Sequence, residues 1–206
     1  MTFDDFYSKR KSLFTQEHSD GMAECINSFA VPTGSAVDLG AGEGRNALYL
    51  ASLGFDVTAI EPSHAGAEKI RILSKKVDLK VNILESDFLS CANQLNNINF
   101  LVALTSLDHM EYQYMLDSIQ KIDEILAPGA YLYIMVFTEE DPGFKKDTYN
   151  SSECALFIKH YFKKGELRGL FSDYDILKYA EYVKEDRSHG NPHYHGKAKL
   201  FARKGL

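Results

Sequence analysis

Residues 36–47 read Ala-Val-Asp-Leu-Gly-Ala-Gly-Glu-Gly-Arg-Asn-Ala, and the fold class turns on how such a stretch must be built. Ala36 to Leu39 form a short apolar strand that runs into Gly40, Gly42 and Gly44, and an apolar helical pattern begins at once. A turn that tight needs backbone dihedrals that glycine adopts cheaply, and side chains there would block close approach of a ligand to the backbone. The strand–glycine loop–helix unit presents N–H groups and a helix N-terminus to a polar ligand. The spacing then narrows the ligand. A dinucleotide fingerprint, G-x-G-x-x-G, needs its third glycine at position 45, which is Arg45 here. The glycines alternate instead as G-x-G-x-G, two positions behind the acid Asp38, a pattern suited to a different nucleoside cofactor.

Outward from this loop, strands and helices alternate. Met22, Cys25, Ile26 and Phe29 recur at helical spacing ahead of Pro32. After the glycine loop, Ala47, Leu48, Leu50 and Ala51 predict a helix closed by Gly54. Strands are expected at 56–60, 80–84 and 99–104, with a helix capped by Ser63 between the first two. Met115, Ile119, Ile122 and Leu126 form one stripe of a helix over 111–126, and Pro128-Gly129 turns the chain into a strand at 131–137. A polar loop, 138–152, two helical stretches and strands at 174–183 and 196–203 complete the pattern. Alternation predicts an α/β, Rossmann-like single domain over 1–206: a mostly parallel seven-stranded sheet with helices on both faces. No helix separates the last two strands, so they should pair, leaving the final strand antiparallel. Residues 1–34 should form an N-terminal helical segment covering the pocket.

Composition agrees with an ordinary enzyme domain. Of 206 residues 45% are hydrophobic, and no apolar run is long enough to span a bilayer. The start, Met-Thr-Phe-Asp-Asp, lacks the basic and apolar regions of a secretion signal, and the three scattered cysteines (Cys25, Cys91, Cys154) do not suggest a disulfide framework. A cytoplasmic setting is expected. A net charge of −6 argues against a nucleic-acid surface.

Asp38, Gly40, Gly42 and Gly44 match the first motif of the class I S-adenosylmethionine (SAM)-dependent methyltransferases, an acid followed by x-G-x-G-x-G, and the chain resembles that family. The run Gly-Glu-Gly-Arg-Asn-Ala-Leu-Tyr-Leu-Ala at 42–51 is similar to the tellurite-resistance type and its small-molecule-methylating relatives. The resemblance implies SAM as cofactor, a small-molecule methyl acceptor rather than nucleic acid or membrane, and a monomer or homodimer. It also implies in-line displacement, in which the sulfonium carries the chemistry and the protein aligns acceptor, methyl and sulfur while excluding water. Glu61, 17 positions beyond Gly44 at the end of the second strand, is expected to accept both ribose hydroxyls. Asp87 and Phe88 follow the third strand, where an acid can take the adenine amino group and an aromatic can pack on the ring. Asp38 is expected to face the ammonium of the methionine end, since an acid inside an apolar strand needs such a partner. Thr105, after the fourth strand, is a backbone contact for the same moiety.

The acceptor side is less specified. Asp108-His109-Met110 replaces the acid-or-Asn-Pro-Pro-aromatic motif of DNA amino-methylating enzymes, and no cysteine follows a proline as in cytosine-C5 enzymes. Asp108 and His109 are the catalytic candidates, an acid/base pair able to deprotonate an acceptor. The alternative is a capping acid and a surface histidine, because many acceptors need no base. Arg45, a cation in a first helical turn where the helix dipole disfavours it, is a candidate ligand for an anionic acceptor; the alternative is an ordinary ion pair. His189, His193 and His195 lie within seven residues, enough to ligate zinc. The turn residues Gly190, Asn191 and Pro192 explain the segment as a hairpin connection instead, so no metal is expected. Alternation along the returning strand puts His193 and His195 on one face, as substrate contacts closing the pocket, with the 138–152 loop as an opposing lid.

The activity expected from the resemblance is SAM-dependent methyl transfer to a small molecule. The alternatives are a non-catalytic SAM-binding or partner-binding module and, disfavoured by Arg45, a nicotinamide-dependent oxidoreductase.

Overall fold

The computed structural model describes residues 2–9, 19–145, 153–187 and 192–206. Two short helices come first, α1 (Phe3–Ser8) and α2 (Asp20–Ser28), followed by β1 (Ser35–Leu39), α3 (Arg45–Ser52), β2 (Asp56–Ile60), α4 (His64–Lys76) and β3 (Asn82–Leu84). The second half contains α5 (Phe88–Cys91), β4 (Ile98–Leu104), α6 (Tyr112–Ile125), β5 (Leu126–Phe137), α7 (Glu166–Leu170), β6 (Asp175–Asp186) and β7 (His193–Arg203). The seven strands form one sheet in the order β3-β2-β1-β4-β5-β7-β6. β1 to β5 are mutually parallel. β7 runs antiparallel to both β5 and β6, so β6 points the same way as the first five. This is the mostly parallel, seven-stranded α/β sheet that the alternation predicted.

Residue alternation sorts the core into two layers. Val37, Leu39, Leu101, Ala103, Leu132 and Ile134 face Met115 and Ile122 of α6, Leu167 of α7 and Phe88 of α5. Their neighbours Ala36, Val57, Ala59, Phe100, Val102 and Tyr133 face Met22 and Cys25 of α2, Ala47 and Leu50 of α3 and Ile70 of α4. Both faces of the central strands are apolar because helices cover both, as parallel sheets require.

The strand boundaries differ from the sequence reading in two places that matter. Pro128-Gly129 does not separate α6 from β5. Leu126 already pairs with Ile98, and the pairing register slips between Ile98 and Phe100. Proline has no N–H to give the ladder and Gly129 takes φ +75°, so the dipeptide makes an irregularity inside the strand rather than a turn before it. At the other end β7 begins at His193, three residues before the expected strand, because its first residues pair with the end of β6.

β1 and β4 are neighbours although two strands intervene in sequence, so the chain's winding reverses between them and leaves a crevice beyond their carboxyl ends. α1 roofs part of that crevice. Thr2 and Asp5 form a reciprocal capping box, and Asp4 Oδ1 accepts hydrogen bonds from the Ser63 hydroxyl (2.9 Å) and the Ala65 N–H (2.8 Å) at the start of α4. None of the described helices is long and apolar enough to cross a membrane. If Asp4 is the pin, Asp4→Ala should speed amide exchange across residues 3–8 and leave sheet amides unchanged. Unaltered protection of α1 would mean that Phe6 and Tyr7 packing alone holds it.

Candidate active site

A cavity of about 720 Å³ opens at the carboxyl ends of β1, β2, β4 and β5. Its floor is the glycine loop, in which Gly40, Gly42 and Gly44 take φ values of +68°, +58° and +84°. A Cβ at Gly40 would come within 2.6 Å of Ser106 Cβ, and one at Gly44 within 2.8 Å of Ile70 Cγ1. At Gly42 it would approach the Tyr7 hydroxyl at 2.9 Å. Glycine at these positions is therefore demanded by both conformation and space.

Of the buried carboxyls here, Glu61 and Glu43 line the cavity and Asp38 does not. Glu61, 4% exposed, accepts the Gly42 N–H at 2.7 Å on one oxygen and the Ser63 N–H at 2.8 Å on the other. Burial pushes its pKa up to about 7 despite those two donors, and Asp38 adds to the rise. Asp38, 2% exposed, is likewise pushed up to about 7 by burial, opposed by the Ala47 N–H and the Arg45 charge. Its Oδ2 has no hydrogen-bond partner among the described residues. A ligand bringing hydroxyl donors to the cavity would relieve Glu61.

Asp87 and Phe88 line the cavity, as the sequence spacing placed them. Asp87 Oδ1 also caps α5 through the Ser90 N–H (3.1 Å) and takes the Tyr114 hydroxyl at 2.5 Å. Phe88 is 2% exposed, packed in the core where it borders the cavity. Thr105 has φ +50°, a costly value for a β-branched residue, held by its N–H to Met135 O at 2.7 Å.

Asp108 departs from the acid/base expectation. A tight 3-10 turn over Leu107–His109 turns its carboxylate away from the cavity into the interior, 0% exposed. Asp108 Oδ2 accepts the Phe137 N–H at 2.9 Å, while its carbonyl takes the N–H groups of Lys159 and His160. Burial raises its pKa. It is a clamp between the end of β5 and the 159–160 backbone. His109 does face the cavity, edge-on to Phe3 with ring centroids 4.9 Å apart. Its Nδ1 has no hydrogen-bond partner among the described residues.

Both signs of charge meet where the cavity reaches the hairpin, with Asp186 beside the cations there. Arg45 lies there with Lys197, whose side chain is 14% exposed and whose pKa burial lowers to about 8. His195 joins this wall, 3% exposed, whereas His193, 5% exposed, stands behind it and does not line the cavity. Tyr194 between them is 44% exposed, in keeping with the alternation. His189 lies outside the described residues. Of the 138–152 loop, the described part packs on the hairpin rather than opposing it: Asp141 Oδ2 lies 3.2 Å from His195 Nδ1 and accepts the Gly196 N–H at 3.0 Å. Tyr7, Lys197, Asp141 and Asp186 were not legible as site residues. Each reads in sequence as an ordinary exposed helix, strand or loop position, and only tertiary packing brings them here.

The model of the tellurite resistance protein TehB family matches residues 1–195. The chain belongs to the TehB family. Among its relatives, a probable S-adenosyl-L-methionine-dependent methyltransferase TehB from Haemophilus influenzae is 26% identical over 184 residues, 88% of this chain and 59% of the relative. The TehB-family chain thus spans about three-fifths of that relative's length. The crystal structure of TehB from H. influenzae superposes with a TM-score of 0.77 at 24% identity, covering 98% of this chain and 67% of that one. A Burkholderia thailandensis 1,6-didemethyltoxoflavin-N1-methyltransferase, solved with bound 1,6-didemethyltoxoflavin and S-adenosylhomocysteine, superposes with a TM-score of 0.64 at 15% identity over 91% of this chain and 78% of its own. These likenesses place the sheet and crevice in the methyltransferase fold.

Two outcomes follow from the buried carboxyls. Glu61 carries a folded-state pKa near 7 against 4.5 unexposed to the protein interior, so it binds its proton more tightly when folded. Its contribution favours folding below about pH 4.5 and is lost as the pH rises through about 7. In thermal melts of the ligand-free protein, Glu61→Gln should flatten the fall in Tm over that window; an unchanged slope would refute the assignment. Asp108→Ala should cost roughly 1–3 kcal/mol in denaturant unfolding by orphaning the Phe137 N–H, and a loss of turnover without loss of stability would restore its catalytic reading.

Proposed function

We propose that this chain transfers the methyl group of SAM to a small, polar or anionic acceptor. The observation that carries the reading is the juxtaposition of a side-chain-free glycine floor with the buried carboxyl of Glu61 on Gly42. Glu61 accepts the ribose hydroxyls on the lone pairs its two backbone donors leave free. Asp38 receives the ammonium end, Asp87 and Phe88 the adenine, and the Thr105 backbone the methionine chain. SAM supplies an electrophilic methyl on a sulfonium, and the residues around it need only hold the acceptor in line and keep water out. Tyr7 and Phe3 do the excluding from above.

Arg45, Lys197 and His195 form the acceptor end, where two cationic side chains suit an anion. His109 is the candidate base where the acceptor carries a proton. Nucleic acid is a poor fit: the chain is acidic overall, with 29 acidic against 23 basic side chains. Buried, free Cys25 and Cys91 agree with a reducing, cytoplasmic setting, and a monomer or homodimer belongs to the same reading.

Calorimetry should find SAM and its demethylated product binding, with no comparable affinity for NAD or NADP. Glu61→Ala should weaken SAM by roughly 1.5–3 kcal/mol, and Asp87→Ala by less because the Phe88 contact remains. Binding of dinucleotide in place of SAM would overturn the reading. SAM binding with no methyl transferred to thiol, amine, oxyanion or carboxylate pools would leave a non-catalytic SAM-binding module.

A further inference from the structure

The antiparallel register sets Asp186, the last residue of β6, directly opposite His193, the first of β7. His195, two residues on, projects from the same face, so three potential ligands converge although sequence spacing shows only the histidines. The Nε2 atoms of His193 and His195 face each other at 2.9 Å with rings nearly perpendicular, and Asp186 Oδ2 lies 3.8 Å from His195 Nε2. The ligand atoms of all three residues fall within 4.8 Å of one another. Behind them, Asp141 Oδ2 lies 3.2 Å from His195 Nδ1 and is itself fixed by the Gly196 N–H, while its Oδ1 takes the Gly143 N–H at 2.7 Å. A carboxylate on Nδ1 keeps the ring proton there and turns the Nε2 lone pair toward the cluster, the arrangement that orients metal-ligating histidines.

We propose that Asp186, His193 and His195 form a binding site for a divalent first-row transition-metal ion, with Asp141 as the positioning residue for His195. Two imidazoles and one carboxylate are a ligand set for zinc, with a further position left open, and for other ions of that series. Bonds of about 2.0–2.2 Å hold donors on a shared ion roughly 3–3.5 Å apart. The observed separations reach that with small shifts, which half-buried Asp186 at the strand end can supply. The ion competes with Lys197, whose ammonium lies 3.9 Å from the same Asp186 oxygen. Asp186 and His195 also border the main cavity, so the open position lies beside the acceptor end. That placement rests on the functional reading above, but metal binding itself does not.

The test is Zn²⁺ titrated into the full chain, purified without a histidine tag, against a chromophoric chelator. One ion should bind per chain. His193→Ala and Asp186→Asn should each weaken it about tenfold or more, and Asp141→Asn, which touches no ion, by about ten- to a hundredfold. Asp186→Asn is the variant that keeps the fold, as circular dichroism would check, because it preserves the size of a half-buried side chain at the strand end. Zinc binding that is absent, or equal in wild type and in the Asp186→Asn and His193→Ala variants, would overturn the proposal. A chain that binds Zn²⁺ in this way and does not bind SAM would refute only the methyltransferase reading.

Discussion

The Gly42 N–H donating to the buried Glu61 carboxyl is the contact on which the site's architecture depends. It ties the loop after β1 to the end of β2, and the second oxygen of the same side chain takes Ser63 N–H at the start of α4. One carboxyl thus sets the spacing of two strands' ends and the helix that follows. The glycines make this approach possible: a Cβ at Gly66 would meet Glu61 Cγ at 2.9 Å and the Gly42 carbonyl at 3.0 Å. Desolvation is the cost, visible in the raised pKa, and a ligand that donates to the carboxylate offsets it.

The other half of the site is built by the C-terminal hairpin. β7 brings His195 and Lys197 to the cavity on alternate positions of one strand, and Gly196 between them lets the Asp141 backbone pack against it, where a Cβ would come within 2.3 Å of Asp141 N. The hairpin thus contributes both signs of charge to the cavity, Lys197 beside Asp186.

Much of the fold was legible because its signals are local. Period-two apolar strands, the Ser63 cap and the glycine loop each declare themselves within ten residues. Pro128-Gly129 misled because its sequence signature is the same for a turn and for an irregularity inside a strand; pairing with β4 decided between them. The residues at the cavity floor follow directly after strands, so topology alone collects them on one rim. Asp108 also follows a strand, but a 3-10 turn of three residues redirects its side chain inward, and no sequence rule fixes that rotation. The Asp141–His195 pair joins positions 54 apart, and Asp186 meets His193 only through hairpin register. Such contacts are tertiary facts.

The position of β7 has a consequence for how the molecule comes into being. Among the described residues β6 has no neighbour in the sheet except β7, so on a ribosome it emerges with nothing to pair with. The five parallel strands can assemble while it waits, leaving the outer edge of β5 open. Only when residues 193–203 emerge can one strand fill the gap and pair on both sides at once, with β5 and with β6. Until then the nascent chain carries an open edge on β5 and an unpaired β6, each a template for wrong partners. The wall bearing His195 and Lys197 is the last piece of the cavity to be laid. A stalled or truncated product would hold the glycine loop and Arg45 and lack His195 and Lys197.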